Sequence, residues 1–331
     1  MIITRTPFRI SFFGGGTDYP AWYREHGGSV LATTIDKYCY ITCRKLPPFF
    51  EYKHRIVYSK IENAYSIDEI NHPSVRSTFK WAQVSDGLEI HHDGDLPARS
   101  GLGSSSAFTV GLVNALCAMR GEMITQHALA NNALHIEQDL IGENVGSQDQ
   151  ISAAFGGFNR IDFHRDGKFN VVPLIIPPHR LIELKSHLML CFTGFSRIAD
   201  AIAKSKIDNF MNRESELKYM HNMVDEAISI LGSINTPIEE FGKLLEQNWQ
   251  YKRNLSSMVS TAQIDKIYET ALTAGAVGGK ILGAGGGGFM LLFAKPENHA
   301  NIRKRLDKLV HVNFDFDTTG SKVVLYQPNG L

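Results

Sequence analysis

The chain has 331 residues, and its 34 Lys and Arg residues balance 34 Asp and Glu residues, so the formal net charge is zero. Nucleic-acid-binding and membrane-surface proteins typically have an excess of basic residues, which this chain lacks. We therefore expect neither a nucleic acid nor a membrane surface as a partner. The length exceeds that of one ordinary core and predicts two domains.

The N-terminus lacks the apolar region of a signal peptide, and the sequence contains no apolar run long enough to span a bilayer. The four cysteines all lie in apolar surroundings: Cys39, Cys43, Cys117 and Cys191. A disulfide scaffold would place them in loops instead. We therefore expect a cytoplasmic protein with reduced thiols.

The first predicted elements are β segments at Ile2–Arg5 and Phe8–Phe13, followed by a glycine run. Successive glycines let the backbone approach a ligand closely, and a carboxylate accepts hydrogen bonds from two vicinal hydroxyls. These residues therefore suit a sugar: Gly15, Gly16, Thr17 and Asp18. An Asx turn at Asp18 explains the pattern equally well. Arg9 is either a surface side chain or a buried cation that faces an anion.

The middle of the first half is predicted to be β-rich at 30–44, irregular at 47–74 and extended again at Leu88–His92. Period-two spacing places Cys39, Ile41 and Cys43 on one face. This face favours the core over a metal site, because no further ligands stand nearby with the required spacing.

A glycine–serine stretch then precedes an apolar helix, in residues 97–119, PARSGLGSSSAFTVGLVNALCAM. A helix N-terminus has unpaired N–H groups and the positive end of the helix dipole, so it binds anions. Serine hydroxyls add neutral donors, and one of them can ligate a metal. A helix cap requires one serine, so three serines behind two glycines favour a phosphate cradle: Gly101, Gly103, Ser104, Ser105 and Ser106. A P-loop is disfavoured, because no lysine follows the glycines.

Two carboxylates follow this loop. Glu137 lies near the end of a helix predicted over Thr125–Ile141, where polar neighbours favour a solvated face. Asp149 precedes the small-residue run ISAAFGGF, which is predicted to be buried. A carboxylate at the edge of such a run is the better candidate for chemistry, because in a closed site it could orient and deprotonate a hydroxyl.

The composition changes after Phe163, and three prolines in residues 166–180 place a domain boundary near Pro177. The predicted domains are 1–177 and 178–331. The second half is predicted to contain a strand at Leu184–Phe192, then helices at 198–212, 214–231, 238–251 and 262–273, and a β-rich end.

Two further features stand out in the second half. Three cations follow a polar turn, and they form either a solvated helix face or a site for a substrate phosphate: Arg197, Lys204 and Lys206. Later, five glycines among residues 283–288, including Gly285 and Gly286, separate two predicted strands. Because such a run is entropically costly, we expect its backbone to pass close to nucleotide phosphates or to the serine loop.

Three motifs in this order resemble the GHMP kinase superfamily: PFRISFFGGGTD, PARSGLGSSSA and KILGAGGGGF. Together they are specific, although each alone is not. The GGGTD pattern, the serine loop and the later GSQDQ segment are most similar to the branch of D-glycero-D-manno-heptose 7-phosphate kinases, with L-fucokinase domains as near neighbours. The resemblance implies an α+β fold with an N-terminal domain like ribosomal protein S5 domain 2 and a ferredoxin-like C-terminal domain.

The resemblance also implies that ATP and Mg²⁺ bind between the two domains, with the serine loop around the triphosphate. Ser105 and Glu137 match the metal ligands of the family, which replaces the solvated-face interpretation of Glu137. Asp149 matches the carboxylate that takes the proton from the attacking hydroxyl, and Arg9 matches the basic residue near the reacting centre. Asp18 matches the sugar-binding aspartate.

The implied reaction phosphorylates the anomeric C1 hydroxyl of D-glycero-D-manno-heptose 7-phosphate, for nucleotide-activated heptose synthesis. Gly15 and Gly16 replace the Glu-His of galactokinases, which argues against galactose and leaves room for a bulkier sugar. The alternatives are an L-fucokinase-like C1 kinase and a catalytically decayed sugar sensor. A distal phosphate requires a second cationic pocket, for which Arg99, Lys204 and Arg197 are candidates. The chain is expected to be a monomer or a homodimer.

Overall fold

The structure is a computed structural model that describes residues 1–195 and 199–328. The helices are α1 (Pro20–His26), α2 (Pro73–Trp81), α3 (Ser104–Met119), α4 (Gln126–Leu134), α5 (Gln148–Phe155), α6 (Pro178–His187), α7 (Ala199–Ile207), α8 (Glu214–Gly232), α9 (Glu239–Asn254), α10 (Ala262–Thr273) and α11 (His299–Arg305). The strands are β1 (Ile2–Phe13), β2 (Gly28–Lys45), β3 (His54–Val57), β4 (Ile61–Ala64), β5 (Leu88–Gly94), β6 (Phe158–Phe163), β7 (Phe169–Pro173), β8 (Leu188–Phe192), β9 (Ala276–Ile281), β10 (Phe289–Ala294), β11 (Val310–Val312), β12 (Phe316–Asp317) and β13 (Lys322–Tyr326).

The first sheet has nine strands within the described ranges, in the order β13-β1-β2-β5-β3-β4, with β6 and β12 also paired to β2 and β7 paired to β6. Its pairs are antiparallel apart from β3 with β5. The long strand β2 pairs with β6 at its start and with β5 at its end. It also pairs antiparallel with β1, and Phe13 lies opposite Leu31, so the glycine run after β1 lies beside the start of β2.

The second sheet has the antiparallel order β11-β8-β10-β9. Helix α9 packs against β9 and β10, and α10 packs against β9. The mixture of antiparallel sheets and helices confirms the predicted α+β class. The boundary predicted near Pro177 stays a prediction, but the chain returns to the first sheet at its end, where β13 pairs with β1.

Helix α3 lies at the centre of the first half, packed against β1 and β2, and every residue from Ser106 to Ala118 is buried. The apolar run predicted for this helix therefore matches its position. Helix α4 begins after Thr125, whose hydroxyl accepts a hydrogen bond from Ala128 N at 3.2 Å, as predicted for an N-cap. The helix continues as a π-helical turn over His135–Ile141.

Several predicted boundaries are wrong. The two early β segments form one strand, in which the register shifts between Pro7 and Phe8. The irregular stretch contains the short strands β3 and β4, and the proline-rich stretch contains β7. Helix α6 occupies the first residues of the strand predicted at Leu184–Phe192. Pro178 in its first turn and cationic residues in its last turn favour the helix.

The cysteines are free and buried, and alternate residues Cys39, Ile41 and Cys43 share a buried face of β2 as predicted. No helix in residues 1–195 and 199–328 combines the length and apolar character needed to cross a membrane.

Candidate active site

An open cleft of about 250 Å³ is bordered by the end of β1, the N-terminal turns of α3 and α5, helix α7 and the loop between β9 and β10. It brings together most of the predicted site residues: Arg9, Gly15, Gly16, Asp18, Gly101, Gly103, Ser104, Ser105, Ser106, Asp149 and Gly285. Thr17, Gly286 and Glu137 do not line the cleft, and Arg197 lies outside the described residues. Thr17 is buried, and its hydroxyl donates to Gly14 O at 2.8 Å.

The serine loop forms the start of α3. Gly103 precedes the helix in the left-handed region at φ 75°, and Ser104 Oγ accepts a hydrogen bond from Arg99 N at 3.0 Å. The exposed residue Ser105 borders the cleft in the first helical turn. Because that turn has N–H groups without intrahelical partners, it can bind an anion in the cleft.

Arg9 and Asp149 form a bidentate ion pair at the base of the cleft. Arg9 Nε donates to Asp149 Oδ1 and Arg9 Nη2 donates to Oδ2, each at 2.8 Å. The third contact joins Arg9 Nη1 to Gly101 O at 2.7 Å. The Arg9 side chain is 4% exposed and the Asp149 side chain 25% exposed. Arg9 is therefore a buried cation that faces an anion, and it fixes Asp149 relative to the serine loop.

Asp18 is the second carboxylate of the cleft and is almost completely buried. Its Oδ1 accepts from Gly16 N at 2.8 Å, and its Oδ2 accepts from Gln148 Nε2 at 2.9 Å. Burial raises the pKa of Asp18 above its usual value, although the Gly16 N–H acts in the opposite direction. A Cβ at Gly146 would lie 2.0 Å from Asp18 Oδ2, so only glycine at 146 leaves room for this carboxylate.

Glu137 lies behind the serine loop and is completely buried, so the solvated face suggested by its neighbours is wrong. Its Oε2 accepts hydrogen bonds from Ser106 Oγ at 2.9 Å and from Gln150 Nε2. Its Oε1 has no hydrogen-bond partner in the described part of the chain. Burial raises the pKa of Glu137 to about 7, although the hydrogen bonds from Ser106 and Gln150 lower it.

The residues near this carboxylate fit Mg²⁺ bound together with a nucleotide. Among the described residues, no group of three or more His, Cys, Asp and Glu side chains could hold a metal by itself. Mg²⁺ in phosphate-transferring enzymes, however, uses one or two protein oxygens together with phosphates and water. Ser105 provides a hydroxyl at the cleft, and Glu137 has one buried oxygen without a partner.

Two buried lysines of the cleft donate hydrogen bonds to backbone carbonyls. Lys252 Nζ donates to Ile281 O and Gly283 O, both at 2.7 Å. Lys280 Nζ donates to Phe12 O at 2.7 Å and to a buried asparagine side chain. Burial lowers the pKa of Lys280 to about 7 and that of Lys252 well below its usual value. Lys280 thus joins β9 to the end of β1.

The glycine run between β9 and β10 contacts the serine loop through the backbone. A Cβ at Gly283 would lie 2.5 Å from Gly101 Cα, and a Cβ at Gly101 would lie 2.5 Å from Leu282 O. Phe289 N also donates to Ser100 O at 2.9 Å. The expectation that this run passes close to the serine loop is confirmed, because side chains at these positions would separate the two loops.

Helix α7 closes the opposite side of the cleft. Asp200 Oδ1 accepts hydrogen bonds from Asn144 N at 2.8 Å and Asn144 Nδ2 at 3.0 Å. Lys206 is buried and lines the cleft, whereas Lys204 is exposed and lies outside its lining. Arg99, also considered for a distal phosphate, borders the cleft.

The cleft residues that sequence reasoning missed include five with polar side chains that make hydrogen bonds at the site: Asn144, Gln148, Asp200, Lys252 and Lys280. Lys252 lies in an amphipathic helix without any nearby motif. Lys280 is the first residue of the KILGAGGGGF motif and Gln148 stands directly before Asp149, so a local signal was available at both positions.

Two family models match the chain, one described as GHMP kinases N terminal domain over residues 70–157 and the other as GHMP kinases C terminal over residues 206–311. The D-glycero-alpha-D-manno-heptose 7-phosphate kinase of Campylobacter jejuni is 30% identical over 328 residues, which cover 96% of each chain. The bifunctional fucokinase/GDP-fucose pyrophosphorylase of Arabidopsis thaliana is 29% identical over 93% of this chain, but the match covers only 31% of that protein.

A solved structure of a D-glycero-D-manno-heptose 1-phosphate kinase from Bacteroides thetaiotaomicron superposes with a TM-score of 0.78. It covers 97% of this chain and 98% of its own, at 22% identity. At that identity the superposition supports the fold alone.

Proposed function

This chain belongs to the GHMP kinase family and is an ATP-dependent sugar kinase, and we propose that its acceptor is D-glycero-D-manno-heptose 7-phosphate. The proposed reaction transfers the γ-phosphoryl group of ATP to the anomeric C1 hydroxyl and gives the 1,7-bisphosphate. The product would serve the synthesis of nucleotide-activated heptose. The Campylobacter jejuni relative, which matches nearly the whole chain, supports this acceptor.

The observation that carries the catalytic part of the proposal is the Arg9–Asp149 pair. Both oxygens of Asp149 are held by one guanidinium, which also contacts the backbone of the serine loop. The carboxylate is thus oriented beside the turn that suits phosphate before any substrate arrives. Such preorganisation lowers the reorganisation needed in the transition state.

Asp149 is the proposed general base. Its carboxylate would accept the proton of the C1 hydroxyl as the hydroxyl oxygen attacks the γ-phosphorus and the bond to the β,γ-bridging oxygen breaks. Arg9 would keep the carboxylate in place and balance its charge. Asp18, held by Gly16 and Gln148, would accept hydrogen bonds from other hydroxyls of the sugar.

The N-terminal turn of α3 is proposed to bind the phosphate chain of ATP through its N–H groups and serine hydroxyls. Gly285 would border the phosphates from the opposite loop. Ser105 and Glu137 are the residues that would hold Mg²⁺, which neutralises phosphate charge when bound.

An L-fucokinase-like activity on a free sugar is the second candidate, because the Arabidopsis relative matches 93% of this chain. It differs from the first candidate in needing no pocket for a distal phosphate. The decayed-sensor alternative is less favoured, because the Asp149 base and its Arg9 partner are held in an ordered pair that a sensor does not require.

The experiment that tests the proposal compares ATP consumption with D-glycero-D-manno-heptose 7-phosphate, the unphosphorylated heptose, L-fucose and D-galactose. We expect the highest kcat/KM for the heptose 7-phosphate, and phosphorus NMR should show the new phosphate on C1. A higher kcat/KM for L-fucose or for the free heptose would show that this sugar, and not the heptose 7-phosphate, is the preferred acceptor. Binding of a sugar without turnover of any acceptor would favour the sensor.

A further inference from the structure

Lys206 is a buried cation that the catalytic scheme above does not use. It lies on α7, is 3% exposed and lines the same cleft as Asp18. Its Nζ donates to Tyr19 Oη at 3.2 Å and lies 4.9 Å from the centre of the Tyr19 ring. A lysine is rarely buried to this extent without a partner for its charge.

Lys206 makes fewer hydrogen bonds to the protein than the neighbouring buried lysines do. Lys252 and Lys280 each donate to two acceptors in the protein. Lys206 donates to one acceptor within the described residues, although an ammonium has three N–H groups. Two donors of a cleft-lining lysine are therefore available to a ligand.

The charges around Lys206 indicate what kind of ligand fits. Burial lowers the pKa of Lys206 to about 8, although the charges of Asp18 and Asp149 raise it. No carboxylate oxygen in residues 1–195 and 199–328 lies within the 4.0 Å of Nζ that would make a direct ion pair. Arg9 and Lys206 offset the charges of the two aspartates. Lys252 and Lys280 also line the cleft, but their ammonium groups donate to protein oxygens. A neutral hydroxyl fits this position better than a phosphate, which the two carboxylates would repel.

We propose that Lys206 and Asp18 bind the same hydroxyl of the sugar acceptor. The Lys206 ammonium donates to the hydroxyl oxygen, and the hydroxyl donates its proton to an Asp18 oxygen. A hydroxyl has one donor and two acceptor sites, so it can make both hydrogen bonds at once. The inference rests on the proposed function in one respect, namely that the acceptor is a sugar bound at Asp18.

The same geometry makes Lys206 a determinant of acceptor specificity. A sugar that lacks this hydroxyl, or presents it in the other configuration, would leave a buried ammonium and a buried carboxylate without their partner. Sites built around such groups reject the wrong analogue strongly, because the desolvated groups stay unpaired. The distal phosphate of the acceptor would then bind elsewhere, away from Asp18 and Asp149.

The test uses Lys206→Met, which removes the charge but keeps a long apolar side chain, and Lys243→Met as the control at an exposed lysine of α9, outside the cleft. Steady-state kinetics and calorimetric titration are carried out with D-glycero-D-manno-heptose 7-phosphate and with the unphosphorylated heptose. We expect Lys206→Met to raise the KM and Kd for both sugars by a similar factor, about 10- to 100-fold, because a hydrogen bond to a charged group is lost. The KM for ATP should change less than about two-fold, and Lys243→Met should change nothing.

A double-mutant cycle with Asp18→Asn separates one shared hydroxyl from two independent contacts. If both side chains hold the same hydroxyl, the double variant binds the sugars only slightly more weakly than the weaker single variant. If the factors by which the two substitutions raise the Kd multiply in the double variant, the two side chains do not hold the same hydroxyl. A loss confined to the phosphorylated heptose would overturn the inference as well, because Lys206 would then bind the distal phosphate.

The outcome for the proposed function is read separately, from the wild-type protein. Wild-type turnover that favours another acceptor refutes the heptose 7-phosphate assignment, whereas the ratio of variant to wild-type Kd for the bound sugar decides the role of Lys206. Titration gives this ratio even without turnover. An unchanged Kd in a folded Lys206→Met protein, with a melting temperature like that of Lys243→Met, would refute the inference.

Discussion

The two sides of the cleft are built in different ways. On one side, the serine loop and the glycine run contact each other through the backbone, and Asp149 is held by Arg9. On the other side, Asp18 and Lys206 are buried ionisable groups that are not directly paired. Close backbone contacts hold the first side together. The second side contains buried charged groups, and a ligand can supply the hydrogen bonds that they lack. The proposed phosphate and acceptor sites correspond to these two sides.

The largest expected effect is on the first side, where Asp149→Ala removes the proposed base. We expect kcat to fall by about 10²- to 10⁴-fold, since a positioned base contributes that much. The Kd for ATP should change little, because the phosphates are proposed to bind the serine loop rather than this carboxylate. Rapid-quench kinetics and nucleotide titration measure the two quantities.

The control for this variant is Asp139→Ala, which removes an exposed carboxylate paired with His135. It should retain full activity. Turnover of Asp149→Ala within about three-fold of the wild-type value would contradict the assignment of the base.

The next largest effect is expected on the second side, from Gly146→Ala. The added Cβ would lie 2.0 Å from Asp18 Oδ2, so the carboxylate must move away from Gln148. The acceptor KM should rise roughly 10-fold or more, because hydrogen bonds to a charged group are lost, while the KM for ATP stays near its wild-type value.

Gly232→Ala is the matched control, since a Cβ at Gly232 meets no atom within 4 Å. An equal rise in the two KM values of Gly146→Ala would show that the substitution disturbs the whole cleft rather than the Asp18 side.

A smaller effect is expected from Lys252→Met, which frees the glycine run from its anchor. The lost hydrogen bonds to Ile281 O and Gly283 O should loosen this loop and raise the KM for ATP by about 3- to 10-fold. The acceptor KM should hardly change. The exposed Lys243→Met serves as control, and a change in the acceptor KM alone would contradict the separation of the two sides.

The sequence predicts the first side of the cleft much better than the second. The serine loop, Asp149 and the glycine run are local patterns, and the helix after the loop begins at Ser104 as expected. The Arg9–Asp149 pair could not be derived from spacing, because the two residues are 140 positions apart and only the tertiary fold brings them together. Glu137 and Lys206 have polar neighbours that indicate solvent exposure, yet tertiary packing buries both.

The smallest expected effect concerns the pH dependence of stability. Lys280 has a pKa of about 7 in the folded protein and an ordinary value near 10.5 after unfolding. Between these values the unfolded chain binds more protons, so the contribution of Lys280 to the free energy of unfolding rises with pH. From pH 7 to pH 9, the melting temperature of the wild-type protein should rise relative to that of Lys280→Met by roughly 2 °C or more.

Scanning calorimetry of the two proteins at both pH values tests this prediction. Parallel changes in melting temperature would mean that Lys280 keeps an ordinary proton affinity in the folded protein.

The most direct test of the account is a crystal structure with a non-hydrolysable ATP analogue and D-glycero-D-manno-heptose 7-phosphate. The account predicts that the C1 hydroxyl oxygen lies within hydrogen-bond distance of Asp149, with the terminal phosphate of the analogue at the N-terminus of α3. A sugar bound with C1 directed away from Asp149, or phosphates bound away from the serine loop, would contradict it.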